Sequence, residues 1–128
     1  MEELDYTVTS AKPFDQAVEA VLEEAKRQGF GVLHIHDVQA TLAAKGFARG
    51  PLKIIEVCHP KHAFEVLARN PKISLMLPCP VSVYEEAGAV CVSALKPMLM
   101  GSFYPEAGIK ATAAAVDSAV RAIVDAAR

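Results

Sequence analysis

The sequence predicts an α+β domain, a mostly antiparallel sheet of about five strands with helices packed on one face. Three observations carry this expectation. The first is the stretch Leu75 to Ala94, LMLPCPVSVYEEAGAVCVSA, in which two apolar-alternating runs flank Ala87-Gly88 as the strands of a β-hairpin flank their turn. The second is an Ala-rich segment from Pro105 to Arg128, where Ile109, Ala113, Val116, Val120, Ile123 and Ala127 recur at helical spacing. The third is the order of elements, which holds too few β-α-β units for a doubly wound parallel sheet.

Within the hairpin, a loop at Ala87-Gly88 sets Glu85 opposite Val90, Val83 opposite Val92 and Val81 opposite Ala94. The valines then share one face and meet the core, while Ser82, Tyr84, Cys91 and Ser93 share the other. Upstream, Pro78 and Pro80 each lack a backbone donor, so an uninterrupted ladder through Pro-Cys-Pro in a central strand is not expected. A bulge or a free sheet edge is expected there instead. Cys79, held between the two prolines, is either a small buried hydrophobe or a functional thiol.

The remaining elements follow in order. Leu4 to Thr9 alternates Leu4, Tyr6 and Val8 against Asp5, Thr7 and Thr9, a half-buried strand. Pro13 opens a helix whose apolar stripe, Phe14, Ala17, Val18, Val21, Leu22 and Ala25, runs to Gly29, a natural residue for the left-handed turn after a helix end. Gly31 to Val38 is a second strand, with Leu33, Ile35 and Asp37 on one face and His34 and His36 on the other. A short helix follows from Asp37 to Lys45, ending at Gly46. Leu52 to His59 is a third strand, with Ile55 and Val57 on one face and Ile54, Glu56 and Cys58 on the other. Pro60 to Arg69 is a helix closed by Asn70-Pro71. Pro97 to Tyr104 is an apolar loop with two methionines, suited to covering one end of the core or to lining a pocket. No repeat or linker interrupts residues 1–128, so a single domain is expected.

Composition narrows the function classes. Apolar residues make up 52% and charged residues 22%, yet no apolar run approaches the ~18 residues that span a bilayer, so no membrane role is expected. The acidic start MEELDYTV lacks the regions of a signal peptide, and the three cysteines suit a reducing compartment, so a cytoplasmic location is expected. A net charge of −2 with intermixed signs, no Lys/Arg cluster and no Trp argues against nucleic acid as a partner. Self-association into a two-fold dimer is expected, because an apolar-rich domain with a free strand edge tends to cover it.

Chemistry has few candidates. His34-x-His36 sets two imidazoles about 7 Å apart on one strand face, a pair of metal ligands if a third residue approaches; otherwise both are surface residues. Cys58-His59 stands at a strand end before Pro60 and a helix N-terminus, where free N–H groups and the helix dipole can lower a thiol's pKa. There is no CxxC, HExxH, G-x-S-x-G or glycine-rich phosphate loop, so neither an enzyme class nor a cofactor is indicated.

The run Ile54 to Pro97 resembles the domain-of-unknown-function family 302, DUF302, whose pattern is a strand-Cys-x-Pro segment followed by Leu-Pro-Cys-x-Val-x-Val-Tyr-Glu. Glu56, Cys58, Pro60, Leu77, Pro78, Cys79, Val81, Val83, Tyr84 and Pro97 match that pattern. His59 stands where asparagine is common, and Pro80 where arginine is common, which removes a donor for an anion beside Cys79. The resemblance implies a TATA-binding-protein-like fold, a curved antiparallel sheet with helices on one side, and implies that Cys58 and Cys79, but not Cys91, belong to the pattern. It implies no established activity. Two function classes remain: a non-enzymatic binding module whose sheet face and Pro97 to Tyr104 loop receive a small apolar ligand, and a thiol site. In the second, Cys58 and Cys79 form a reversible disulfide or hold a soft metal with His59 or His36, supported by Glu56, Pro60, Pro78 and Tyr84.

Overall fold

The computed structural model describes residues 3–128. Five strands, β1 (Asp5–Ser10), β2 (Gly31–Asp37), β3 (Leu52–Cys58), β4 (Cys79–Glu86) and β5 (Ala89–Leu95), form one open sheet in the order β1-β5-β4-β3-β2, with every neighbour antiparallel. The helices are α1 (Phe14–Arg27), α2 (Val38–Ala43), α3 (Pro60–Arg69), α4 (Leu99–Phe103) and α5 (Lys110–Ala126).

Alternation decides which sheet face is covered. Val8, Ile55, Val57, Val81, Val83, Val92 and Ala94 are buried against Val18 and Val21 of α1 and Val120, Ile123 and Val124 of α5. Each such aliphatic side chain contributes about 1.5–3 kcal/mol on leaving water, so this layer supplies most of the folding drive. A second cluster, Val66, Ile73, Met100, Ala107, Ile109 and Ala113, lies under α3 and α4. Leu77 packs against both clusters and marks their seam.

The hairpin register is the one expected, with Val81 opposite Ala94, Val83 opposite Val92 and Glu85 opposite Val90. Ala87 (φ 51°) and Gly88 (φ 80°) form the two-residue turn, both in the left-handed region that such turns require. Pro78 to Pro80 is neither a free edge nor the bulge. β4 is the central strand, and its ladder to β3 runs through Pro80 and Cys79, opposite Glu56 and Val57. β5 pairs with β4 only from Val81 onward, so the prolines stand where one side of the strand has no neighbour to receive an N–H. Leu75 and Met76 belong to a 3-10 turn over Pro71–Met76 rather than to the strand.

The bulge lies in β2, between Val32 and His34. It turns Val32 opposite Val57 and Ile35 opposite Ile55, leaving Leu33 as the extra residue; the expected pairing of Leu33 with Ile35 on one face is corrected. His34 and His36 do share a face, as expected, opposite Glu56 and Ile54. All seven β2 residues are exposed, and β2 and β1 are the two free edges. The Pro97 to Tyr104 segment is the short helix α4, with Leu99 and Met100 buried: it covers the core end. Among the described residues no helix is long and apolar enough to cross a membrane.

Candidate functional site

The site forms at the seam of the two core clusters, where β3 hands over to α3. Cys58 ends β3 and His59 caps α3, its Nδ1 accepting from the His62 N–H at 3.5 Å while Pro60 occupies the first helical turn. The His59 ring meets Phe30 edge-on at 5.4 Å between centroids and lies tilted over His62 at 4.2 Å. Gly29 is required beneath it. Its φ is +82°, and a Cβ there would approach His59 Nε2 to 3.2 Å.

Cys79 opens β4 directly opposite Val57, one residue from Cys58, so the ladder brings the two thiols into one crevice. Its walls are Phe30, His59, His62, Leu77 and Met100, and its volume is about 10 Å³. Cys79 is buried, Cys58 half-buried, and both are free thiols. Burial pushes the Cys58 thiol up, opposite in direction to the lowering that a helix N-terminus can give. Burial, with a further contribution from Cys58, pushes Cys79 up to about 12. His62 Nδ1 is buried with no hydrogen-bond partner among the described residues; Glu65 Oε2, 3.9 Å away, is engaged by the Thr112 hydroxyl at 3.2 Å. Among the described residues no three His, Cys, Asp or Glu side chains already surround a common point.

The other candidates disperse. His36 does not join the cysteines; its Nε2 faces Glu56 Oε2 at 3.4 Å on the sheet face away from the core, and its ring is 4.4 Å from that of His34. Tyr84 also belongs to that open face. Its hydroxyl bonds Ser93 at 2.8 Å and Ser93 bonds Thr7 at 2.7 Å, while the Thr7 hydroxyl donates to Asp5. With the Thr7 proton committed to Asp5, Ser93 donates to Thr7 and Tyr84 to Ser93, a directed polar chain. Cys91 lies on the open face between Thr9 and Tyr84, looking outward as expected. The core face of the sheet is filled by α1 and α5, so it offers no joint pocket with the α4 segment, which contributes Met100 to the crevice instead.

Phe30 was not legible as a site residue, since it reads as an ordinary core position; Leu77 entered only as a position of the family pattern and Met100 only within the Pro97 to Tyr104 loop. Asp117 was also missed. It is 7% exposed, accepts from the Met98 N–H at 3.1 Å and from Arg121 Nε at 2.7 Å, and so ties α5 to the start of α4. The available signal was one carboxylate in an Ala-rich helix with an arginine four residues on.

The family model for the domain of unknown function DUF302 matches residues 6–127. The chain belongs to the DUF302 family. A crystal structure of an uncharacterised DUF302 protein from Bacillus stearothermophilus is 31% identical, with a TM-score of 0.91 over 99% of this chain and 100% of that one. Among curated proteins no match was found. The motif positions Cys58, Leu77 and Cys79 line the crevice, with Pro60 and Pro78 beside them in sequence, whereas Glu56 and Tyr84 lie on the open face.

Proposed function

We propose that this DUF302 protein is a non-enzymatic binding module whose site is the crevice at Cys58 and Cys79, and that its ligand is a single soft metal ion of the Cu(I) class. The observation that supports this reading is the coincidence of two thiols, the Met100 thioether and two imidazoles around a space of about 10 Å³. Such a space takes about one water-sized particle, too little for the small apolar ligand expected at the sheet face and the Pro97 to Tyr104 loop. Thiol and thioether donors favour Cu(I) over hard cations. Two thiolates alone suffice for a linear Cu(I) site, so no third ligand needs to be in place beforehand. Binding replaces the S–H protons, so it overcomes the raised pKa of Cys79 and tightens as pH rises. A cytoplasmic location is part of the proposal, because reducing conditions keep both thiols available.

A second reading, a reversible Cys58–Cys79 disulfide, is favoured by their adjacency across β3 and β4. Against it stands Cys79, which at neutral pH is a protonated thiol and a poor nucleophile. Anaerobic titration of reduced protein with Cu(I) held by a chromophoric chelator tests the first reading. Uptake of one ion per chain, lost in Cys58→Ser and Cys79→Ser and kept in Cys91→Ser, is expected; no withdrawal of Cu(I) from the chelator rejects it. Native mass spectrometry of protein from its own host separates the readings: a bound metal, a mass lower by two hydrogens, or a retained organic molecule.

A further inference from the structure

The geometry points to a second, harder site on the opposite face of the sheet: one Zn²⁺-class ion held by His36 Nε2, Glu56 Oε2 and His34, with a fourth position open to solvent. The edge strand β2 and its neighbour β3 supply the ligands. β2 presents His34 and His36 on the face away from α1 and α5, and β3 sets Glu56 directly opposite His34. His34-x-His36 alone is a pair of ligands in need of a third, and the β2·β3 register brings a carboxylate to it.

Spacing distinguishes a ligand pair from a hydrogen bond. A donor–acceptor pair prefers about 2.7–3.2 Å. Two ligands of one tetrahedral zinc, each about 2.0–2.2 Å from the ion, stand about 3.3–3.6 Å apart, the edge of the tetrahedron. His36 Nε2 and Glu56 Oε2 are 3.4 Å apart, and no hydrogen bond joins them. The third ligand is not yet turned in. The His34 ring centroid is 4.4 Å from that of His36, at 70° between planes, and among the described residues no three such groups meet at a point. His34 is exposed on the edge strand, and the site requires a side-chain rotation that carries its ring from the contact with His36 to the His36–Glu56 edge.

The surroundings fit an open coordination position. A groove of about 320 Å³, lined by Val38, Thr41, Leu42 and Ile54, adjoins His36 and Glu56 and leaves room for a water or an exogenous ligand on the ion. Asp37 does not compete, because its carboxylate already accepts from the Ala40 N–H at 3.0 Å as the cap of α2. The donors are neutral imidazole and carboxylate, which suit Zn²⁺, Ni²⁺ or Co²⁺, whereas the crevice on the other side offers sulfur and suits a softer ion.

Co²⁺ is the probe, added to the full chain under reducing conditions at neutral pH. The expected result is saturable visible absorption of four-coordinate Co²⁺ without a near-ultraviolet thiolate charge-transfer band, displaced by Zn²⁺. His34→Ala, His36→Ala and Glu56→Gln each weaken binding by about tenfold or more, as loss of one of three ligands requires. A thiolate band, absence of saturable binding, or a His36→Ala variant that binds as wild type overturns the assignment. Should a variant fold poorly, ring ¹⁵N shifts of the wild-type histidines decide: movement at His34 and His36 supports the site, and movement confined to His59 and His62 overturns it.

Discussion

Protonation at Cys79 is set by where the chain buries it. The free thiol value of 9.0 is pushed up to about 12 by desolvation, with Cys58 adding to it, so the unfolded chain surrenders this proton first. A pKa raised in the fold contributes stability that is whole below about pH 9 and is lost as pH rises toward 12. The stability difference between wild type and Cys79→Ala is therefore expected to shrink by about 3 kcal/mol between about pH 8 and pH 11. Denaturant unfolding of both proteins across that range checks it, since lysine and tyrosine titration is common to the two. A difference that stays constant contradicts it. The same burial makes Cys79 the slowest of the three thiols to alkylate at neutral pH, with the half-buried Cys58 and Cys91 faster. Labelling followed by peptide mapping gives the order.

Among the elements, the β4–β5 hairpin holds its register through a turn that its sequence serves imperfectly. Gly88 adopts φ 80° freely, but Ala87 at φ 51° pays the left-handed penalty of a residue with a Cβ and no side-chain polar group to offset it. Ala87→Asn, which restores the Asn-Gly preference of this turn, is expected to stabilise the protein by about 0.5–1 kcal/mol. A shift of the unfolding midpoint with unchanged denaturant slope is the signature. No change in midpoint would place the strain elsewhere. In β2 the bulge at Leu33 has the opposite character: it keeps Val32 and Ile35 facing the β3 valine and isoleucine while His34 and His36 stay beside Glu56 and Ile54.

For the whole molecule, the open sheet leaves β2 as an exposed edge with Val32 40%, Leu33 59% and Ile35 37% exposed. An edge strand of this composition is a template for pairing with another chain. Self-association is accordingly proposed at β2, not at the Pro-Cys-Pro segment, which lies in the central strand. Light scattering at micromolar concentration is expected to give twice the 13.7 kDa chain mass, and the monomer mass would remove the proposal. A charge at this edge, as in Leu33→Lys, is then expected to prevent that association without unfolding the chain.

The sequence by itself determined most of the elements, because period and punctuation are local; the 3-10 turn over Pro71–Met76 and the helix α4 inside the expected loop escaped it. Alternating valines gave the hairpin and its register, Pro60 and Asn70-Pro71 bounded α3, and the stripe from Ile109 to Ala127 is buried along its length. Alternation also told which hairpin residues face inward, since a strand has only two faces. What tertiary structure alone decided is the order of the strands, and with it everything that depends on neighbours. Pro-Cys-Pro is tolerated in the central strand because the β4–β5 pairing stops at Val81 and Ala94, a fact about two strands that no local pattern holds. Cys58 meets Cys79, and Glu56 meets His36, through the pairings of β3 with β4 and with β2. The Cys58 thiol is pushed up by burial, and part of the crevice that surrounds it, Phe30, Leu77, Cys79 and Met100, comes from parts of the chain distant in sequence.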